Sequence, residues 1–339
     1  MIFPALPLLK VTKLALLQDR IKAYQTFIMI TFDKMKIISD IRNISDINRD
    51  MFLANIKNDE VLYYKYQQER PYYLLLMIDY QRGELVIEFT GKILLDQYTS
   101  LISKDTIREC LLQINRMGVC YIDIDNVLTH SYVTKCDVTK DVTETDIERI
   151  ISYIRQNIIS YQKWIVKGYR GGISLENVCK TPRYKKRLVI YDKAKELQKA
   201  ENVNFLNAVA DKDQILSYFK DKVRFELNIN TMAQIRSLLN IADNDLQTVL
   251  SATANPILSV LDEAVIYCRP QQRKQTLRDY EHELLLKECD YDLVKVEAKV
   301  RALSSANTSI KRVMQPYKDI KNYLQASSVP VFDIRKLVV

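Results

Sequence analysis

Apolar residues alternate with polar ones along several stretches of the chain, and each such stretch divides into two faces of a strand. In Val223–Ile229, Val223, Phe225, Leu227 and Ile229 form an apolar face, opposite Arg224, Glu226 and Asn228. Leu188 and Ile190 oppose Arg187, Val189 and Tyr191. Cys136 and Val138 oppose Lys135, Asp137 and Thr139, and Leu85, Ile87 and Phe89 oppose Val86, Glu88 and Thr90. If these strands share a sheet, it presents one apolar face to a core and one polar face to solvent.

Further elements follow from local signals. "YYLLLMIDY", "QRG" and "ELVIEFTGKIL" read as a hairpin with a Gly-containing turn. "KDTIRECLLQINRMG" has helical spacing and a good C-terminal stop at Gly118. "VCYIDIDNVL", "SYVTKCDVTKDV", "YQKWIVKGY" and "GGISLENV" read as strands. "TETDIERIISYIRQNI" opens on a capping-box pattern and continues as an amphipathic helix, and "DKAKELQKAENVNFLNAV" and "TMAQIRSLLNI" are helical. After about Asn240 the remaining segments have helical spacing. The expectation is an α+β fold: an antiparallel sheet with one polar catalytic face, helices on the other, and a helical C-terminal region. The division is 1–28 as an N-terminal extension (a start assigned too far upstream), 29–240 as the α+β domain, and 241–339 as the helical region.

Composition narrows the chemistry. The 339 residues carry 50 Lys and Arg against 42 Asp and Glu, a net charge of +8 that permits an anionic partner without requiring one. Two histidines nearly exclude histidine-rich metal sites and histidine-based triads. The six cysteines form no CxxC pair and suit free thiols in a reducing cytoplasm. No GxGxxG or GxxxxGK[ST] loop is present, and no apolar run approaches membrane-spanning length.

The stretch "KTPRYKKRLVIYDKAKEL", from Lys180 to Leu197, concentrates the candidate chemistry. Its basic start, Lys180, Arg183, Lys185, Lys186 and Arg187, is the candidate DNA-binding run. A second basic cluster, Arg269, Arg273, Lys274 and Arg278, lies further on. Tyr191 ends the strand just before a helix, with Arg187 at i−4 and Lys193 at i+2. A phenol has a pKa near 10 and needs a cation, metal or base beside it to attack at neutral pH. Asp137, Glu226 and Glu88 could hold a hard divalent cation through oxygen ligands. Tyr184 and Tyr169 are secondary candidates.

At these residues the chain resembles the replication initiators of filamentous phages, of the gene-two and gene-ten type. "ELVIEFTGKILL" resembles the family's first acidic strand. "YVTKCDVTKDV" with the helix after it resembles its Arg-Ile-Asp strand, Lys135 standing for the arginine. "RLVIYDKAKELQ" resembles the nucleophile segment, and "KVRFELNIN" the LVRFE segment. The match covers roughly residues 70–245 and extends more faintly to plasmid rolling-circle initiators and mobilisation relaxases.

The resemblance implies rolling-circle initiation by nicking and rejoining origin DNA through a 5′-phosphotyrosyl link. Tyr191 would be the nucleophile and Lys193 would neutralise the phenolate or protonate the leaving 3′ oxygen. Asp137, Glu226 and Glu88 would be ligands for Mg²⁺ or Mn²⁺. Arg187 and Arg224 join as phosphate clamps by their charge and their place on the polar face, not through the resemblance. Double-stranded origin DNA, a host polymerase and a helicase would be the partners, in the host bacterial cytoplasm and with no membrane. A conjugative or mobilisation relaxase of the same chemistry, and a non-catalytic origin-binding or repressor protein, stay open as alternatives. The chain has no His-hydrophobe-His motif, and the family's glycine-rich loop and histidine are not evident after Lys92.

Overall fold

The computed structural model describes residues 30–144, 146–158, 163–181, 184–265, 276–305, 308–327 and 333–339. The expected N-terminal extension, Arg183, and the cluster members Arg269, Arg273 and Lys274 lie outside these residues; Arg278 is exposed.

The strands are β1 (Thr31–Asp40), β2 (Ile44–Ser45), β3 (Leu53–Lys57), β4 (Glu60–Gln68), β5 (Leu74–Asp79), β6 (Glu84–Thr90), β7 (Tyr121–Ile122), β8 (Tyr132–Thr143), β9 (Trp164–Tyr169), β10 (Gly172–Asn177), β11 (Arg187–Asp192) and β12 (Lys222–Ile229). All but β2 and β7, which pair with each other, join one ten-stranded sheet in the order β3-β4-β5-β6-β1-β8-β12-β11-β10-β9. Each pairing is antiparallel.

The wiring repeats. From β1 the chain crosses to the edge strand β3 and returns through β4, β5 and β6 to lie beside β1; from β8 it crosses to the other edge, β9, and returns through β10, β11 and β12 to lie beside β8. The two central strands pair with each other, so the halves meet at β1 and β8.

The apolar face is covered by helices, as the alternation requires. Ile107, Leu111 and Ile114 from Ile107–Arg116, Ile147, Ile150 and Ile154 from Ile147–Asn157, and Ile235 and Leu239 from Met232–Leu239 share one core with Ile37, Ile87, Phe89, Phe225 and Leu227. This core runs past residue 240, taking in Pro256–Ala264 and the terminal Val338. A separate core, with Leu286, Val296, Met314 and Ile320, joins the helices Leu277–Glu288, Leu293–Leu303 and Ile310–Ser327.

Three local readings change. "VCYIDIDNVL" gives only the two-residue β7; Asp123 then caps a helix, Ile124–His130, by accepting from the Asn126 amide. The helix at Ile147 is capped by Asp146, which accepts from the Arg149 amide, rather than by a threonine. β3 and β4, whose side chains are mostly exposed or half-buried, lacked the apolar alternation that marks the inner strands.

Candidate active site

The expected acidic strands and Arg187, Tyr191 and Arg224 do fall on one face of one sheet. Register orders that face into rows. One row runs Asp141–Arg224–Tyr191–Gly172–Tyr169, the next Thr139–Glu226–Val189–Ser174–Lys167, and the third Lys34–Asp137–Asn228–Arg187–Glu176.

One end of this face is not open. Two 3₁₀ segments within Gly91–Ser100 and the helices Lys193–Leu197, Val203–Ala208 and Lys212–Phe219 fold over it. They build a small apolar cap from Tyr98, Leu197, Phe205, Ile215 and Phe219. The fold thus has helices on both faces.

Beneath the cap lies an ionic network. Arg224 is fully buried and gives Asp141 a two-pronged contact, Nε to Oδ1 at 2.7 Å and Nη2 to Oδ2 at 2.8 Å. Its Nη1 donates to Asp33 Oδ1 at 2.7 Å and to the Tyr98 hydroxyl at 2.8 Å. Asp33 reaches this position because β1 carries an extra residue against β8: Phe32 pairs with Val138 and Lys34 with Asp137. Burial raises the Asp33 carboxyl, but Arg224, Lys193 and Lys92 together hold it below its ordinary value. Lys193, almost fully buried, donates to Glu196 at 2.5 Å and sits 5.4 Å from the Tyr98 ring and 5.6 Å from the Tyr191 ring. Lys92 donates to Asn202, which in turn donates to Glu196.

Tyr191 stands at the border of this network. Its hydroxyl donates to Glu226 Oε2 at 2.9 Å, and Asn228 donates to Glu226 Oε1 at 3.3 Å. Burial, with Asp33 and Asp137 nearby, pushes the Glu226 carboxyl up to about 7. Burial likewise raises Tyr191 well above the usual phenol value, so the hydroxyl is neutral at rest. Asp137 is buried, its carboxyl raised by desolvation, and its Oδ1 has no hydrogen-bond partner among the described residues.

Several expected site residues are placed differently. Arg224 cannot clamp phosphate: it is buried and committed to Asp33, Asp141 and Tyr98. Arg187 shares the face but sits four residues along the strand from Tyr191, about 13 Å at strand rise, and faces Glu176 at 3.5 Å. Glu88 is three strands from Glu226 and is paired with Lys34 at 2.7 Å. Among the described residues, no three His, Cys, Asp or Glu side chains gather as a metal-ligand group. Lys193 lies under the cap, next to the tyrosine ring rather than on the open face. In the basic run, Lys180 is exposed, while Lys185 pairs with Glu176 and Lys186 with Glu263 at 2.6 Å.

Asp33, Asp141, Tyr98 and Glu196 were missed by sequence reasoning. Asp33-Lys34 does leave a signal: two adjacent polar residues interrupt the alternation of β1, as a bulge does. Tyr98 and Glu196 leave none, since only the folding of the cap brings them to the sheet.

No protein-family model matches the chain and no curated protein matches it. No described helix is long and apolar enough to cross a membrane.

Proposed function

We propose that the protein nicks and rejoins DNA through Tyr191, as a rolling-circle replication initiator would. The observation that carries this reading is the 2.9 Å hydrogen bond from the Tyr191 hydroxyl to Glu226, a carboxylate raised to about 7. A tyrosine with its general base already in contact is equipped for nucleophilic attack.

In this mechanism Glu226 in its ionised form takes the Tyr191 proton as the phenolic oxygen attacks phosphorus. The tyrosyl–phosphate bond forms, the bond to the 3′ oxygen breaks, and that oxygen leaves as a hydroxyl with a proton from water. Rejoining reverses these transfers. Lys193, beside the ring and out of solvent, stabilises negative charge developing on the phenolic oxygen rather than supplying the proton.

Asp137 fits a divalent cation, Glu226 being kept to take the tyrosine proton. The orphaned Asp137 Oδ1 is an oxygen donor awaiting a partner, and Mg²⁺ is often held by one or two carboxylates with the remaining positions left to water and phosphate. Mg²⁺ or Mn²⁺ would supply charge neutralisation at the attacked phosphate. Origin DNA is the proposed substrate, with a host polymerase and helicase acting on the 3′ end and the cytoplasm as the compartment.

The test uses a pool of end-labelled single-stranded oligonucleotides of randomised sequence with Mg²⁺ or Mn²⁺. The expected product is a denaturant-stable protein–DNA adduct whose peptide contains Tyr191 and which EDTA prevents. An adduct that persists in Tyr191→Phe would overturn the assignment.

A further inference from the structure

The row that carries Tyr191 ends in Gly172 and Tyr169. A Cβ at Gly172 would lie 2.6 Å from Tyr169 Cε2, 2.8 Å from its Cζ and 2.7 Å from the Ile190 carbonyl oxygen. The Tyr169 ring therefore lies against the glycine, on the face where Tyr191 projects, and with the Ile190 carbonyl it leaves no room for a side chain there. Tyr169 is 42% exposed. Its strand is the sheet's edge, two strands from Tyr191, about 10 Å.

The Tyr169 hydroxyl does not repeat the arrangement at Tyr191. It donates, at 3.4 Å, to the backbone carbonyl of Ile173, an acceptor that cannot take a proton. Burial pushes this phenol up to about 12. A second nucleophile would need a base, so what Tyr169 presents is its ring.

We infer that Tyr169 is a stacking platform for a nucleobase of the single strand attacked by Tyr191. This rests on the nicking reading and adds the residue that positions the strand. The base would lie on the ring beside Gly172, next to the cluster in which Lys167 and Arg187 pair with Glu176.

The experiment measures binding of dT20, and of dT20 carrying 2-aminopurine, to wild type and to Tyr169→Phe, Tyr169→Trp and Tyr169→Leu. Leucine fills the space over Gly172 without a π face, so folding is preserved while stacking is lost. Phe and Trp should bind within about twofold of wild type and still quench 2-aminopurine. Leu should bind about tenfold more weakly and lose the quenching, with the salt dependence unchanged, because base–aromatic stacking of this size does not involve counterions. Leu binding as tightly as wild type, or Phe failing as badly as Leu, would overturn the proposal. The same proteins are assayed for the covalent adduct with the randomised oligonucleotide pool and Mg²⁺ or Mn²⁺. Wild type that quenches 2-aminopurine but forms no adduct overturns the nicking reading and supports the platform.

Discussion

The two halves of the sheet are wired alike, yet only one carries the candidate chemistry. In the first half, Glu88 on β6 is answered by Lys34 at 2.7 Å and Lys36 at 3.9 Å, and its neighbour β5 offers Leu75 and Met77 to the same face. In the second half, Glu226 on β12 bonds to Tyr191 and Asn228, and the adjoining rows bring Asp137 and Arg224. A carboxylate with a lysine against it is a neutralised pair. One held against a phenol and near two other acids retains the proton to about pH 7 and can act as a base. The repeated topology thus supplies two platforms, and a few side chains decide which one reacts.

The cap deepens the contrast. It covers Arg224, Lys193 and Asp141 of the second half together with Asp33, which reaches across from β1, and charge taken from water there must be matched by charge. Lys34 remains partly exposed in the first half.

The largest expected effect comes from breaking the buried network. Arg224→Met should remove the guanidinium that Asp141 and Asp33 share and cost about 3–5 kcal/mol in urea unfolding. A loss under ~1 kcal/mol would mean that the second half does not depend on this pairing.

Tyr191→Phe should abolish the covalent adduct while unfolding at nearly the wild-type denaturant midpoint. The corresponding change in the first half, Glu88→Gln, should leave the adduct intact.

Glu226→Gln separates chemistry from stability. The folded state favours the protonated carboxyl, so this group's contribution is fully present below the ordinary glutamate range and is lost as pH rises through about 7. The variant should melt a few degrees higher than wild type at pH 8 and at about the same temperature at pH 4. Its nicking should fall about 10²–10⁴-fold. In wild type, nicking should rise with pH through about 7, and a profile flat from pH 5 to 9 would remove Glu226 as the base.

Lys34→Ala sets the smallest effect. It breaks a partly exposed pair with Glu88 and should cost about 1 kcal/mol, with adduct formation within a few-fold of wild type. A large loss of activity would make the halves one functional unit.

Alternation alone determined the inner strands and their faces, because side chains on a strand must point alternately whatever else the chain does. It therefore placed Glu226, Asp137, Arg187 and Tyr191 on the polar side before any coordinates. Alternation is silent on strand order, so it could not say that Glu88 lies three strands from Glu226 or that Tyr191 and Glu226 are diagonal neighbours. Nor could it separate an arginine in solvent from Arg224 under a cap, because the covering residues come from segments over 100 positions away in Gly91–Ser100 as well as from the adjoining 193–219. The chain's local pattern settled which residues face together. The tertiary structure settled which of them touch, through strand pairing and a cap that removes water from one end of the face and so turns ordinary polar side chains into a network with shifted proton affinities.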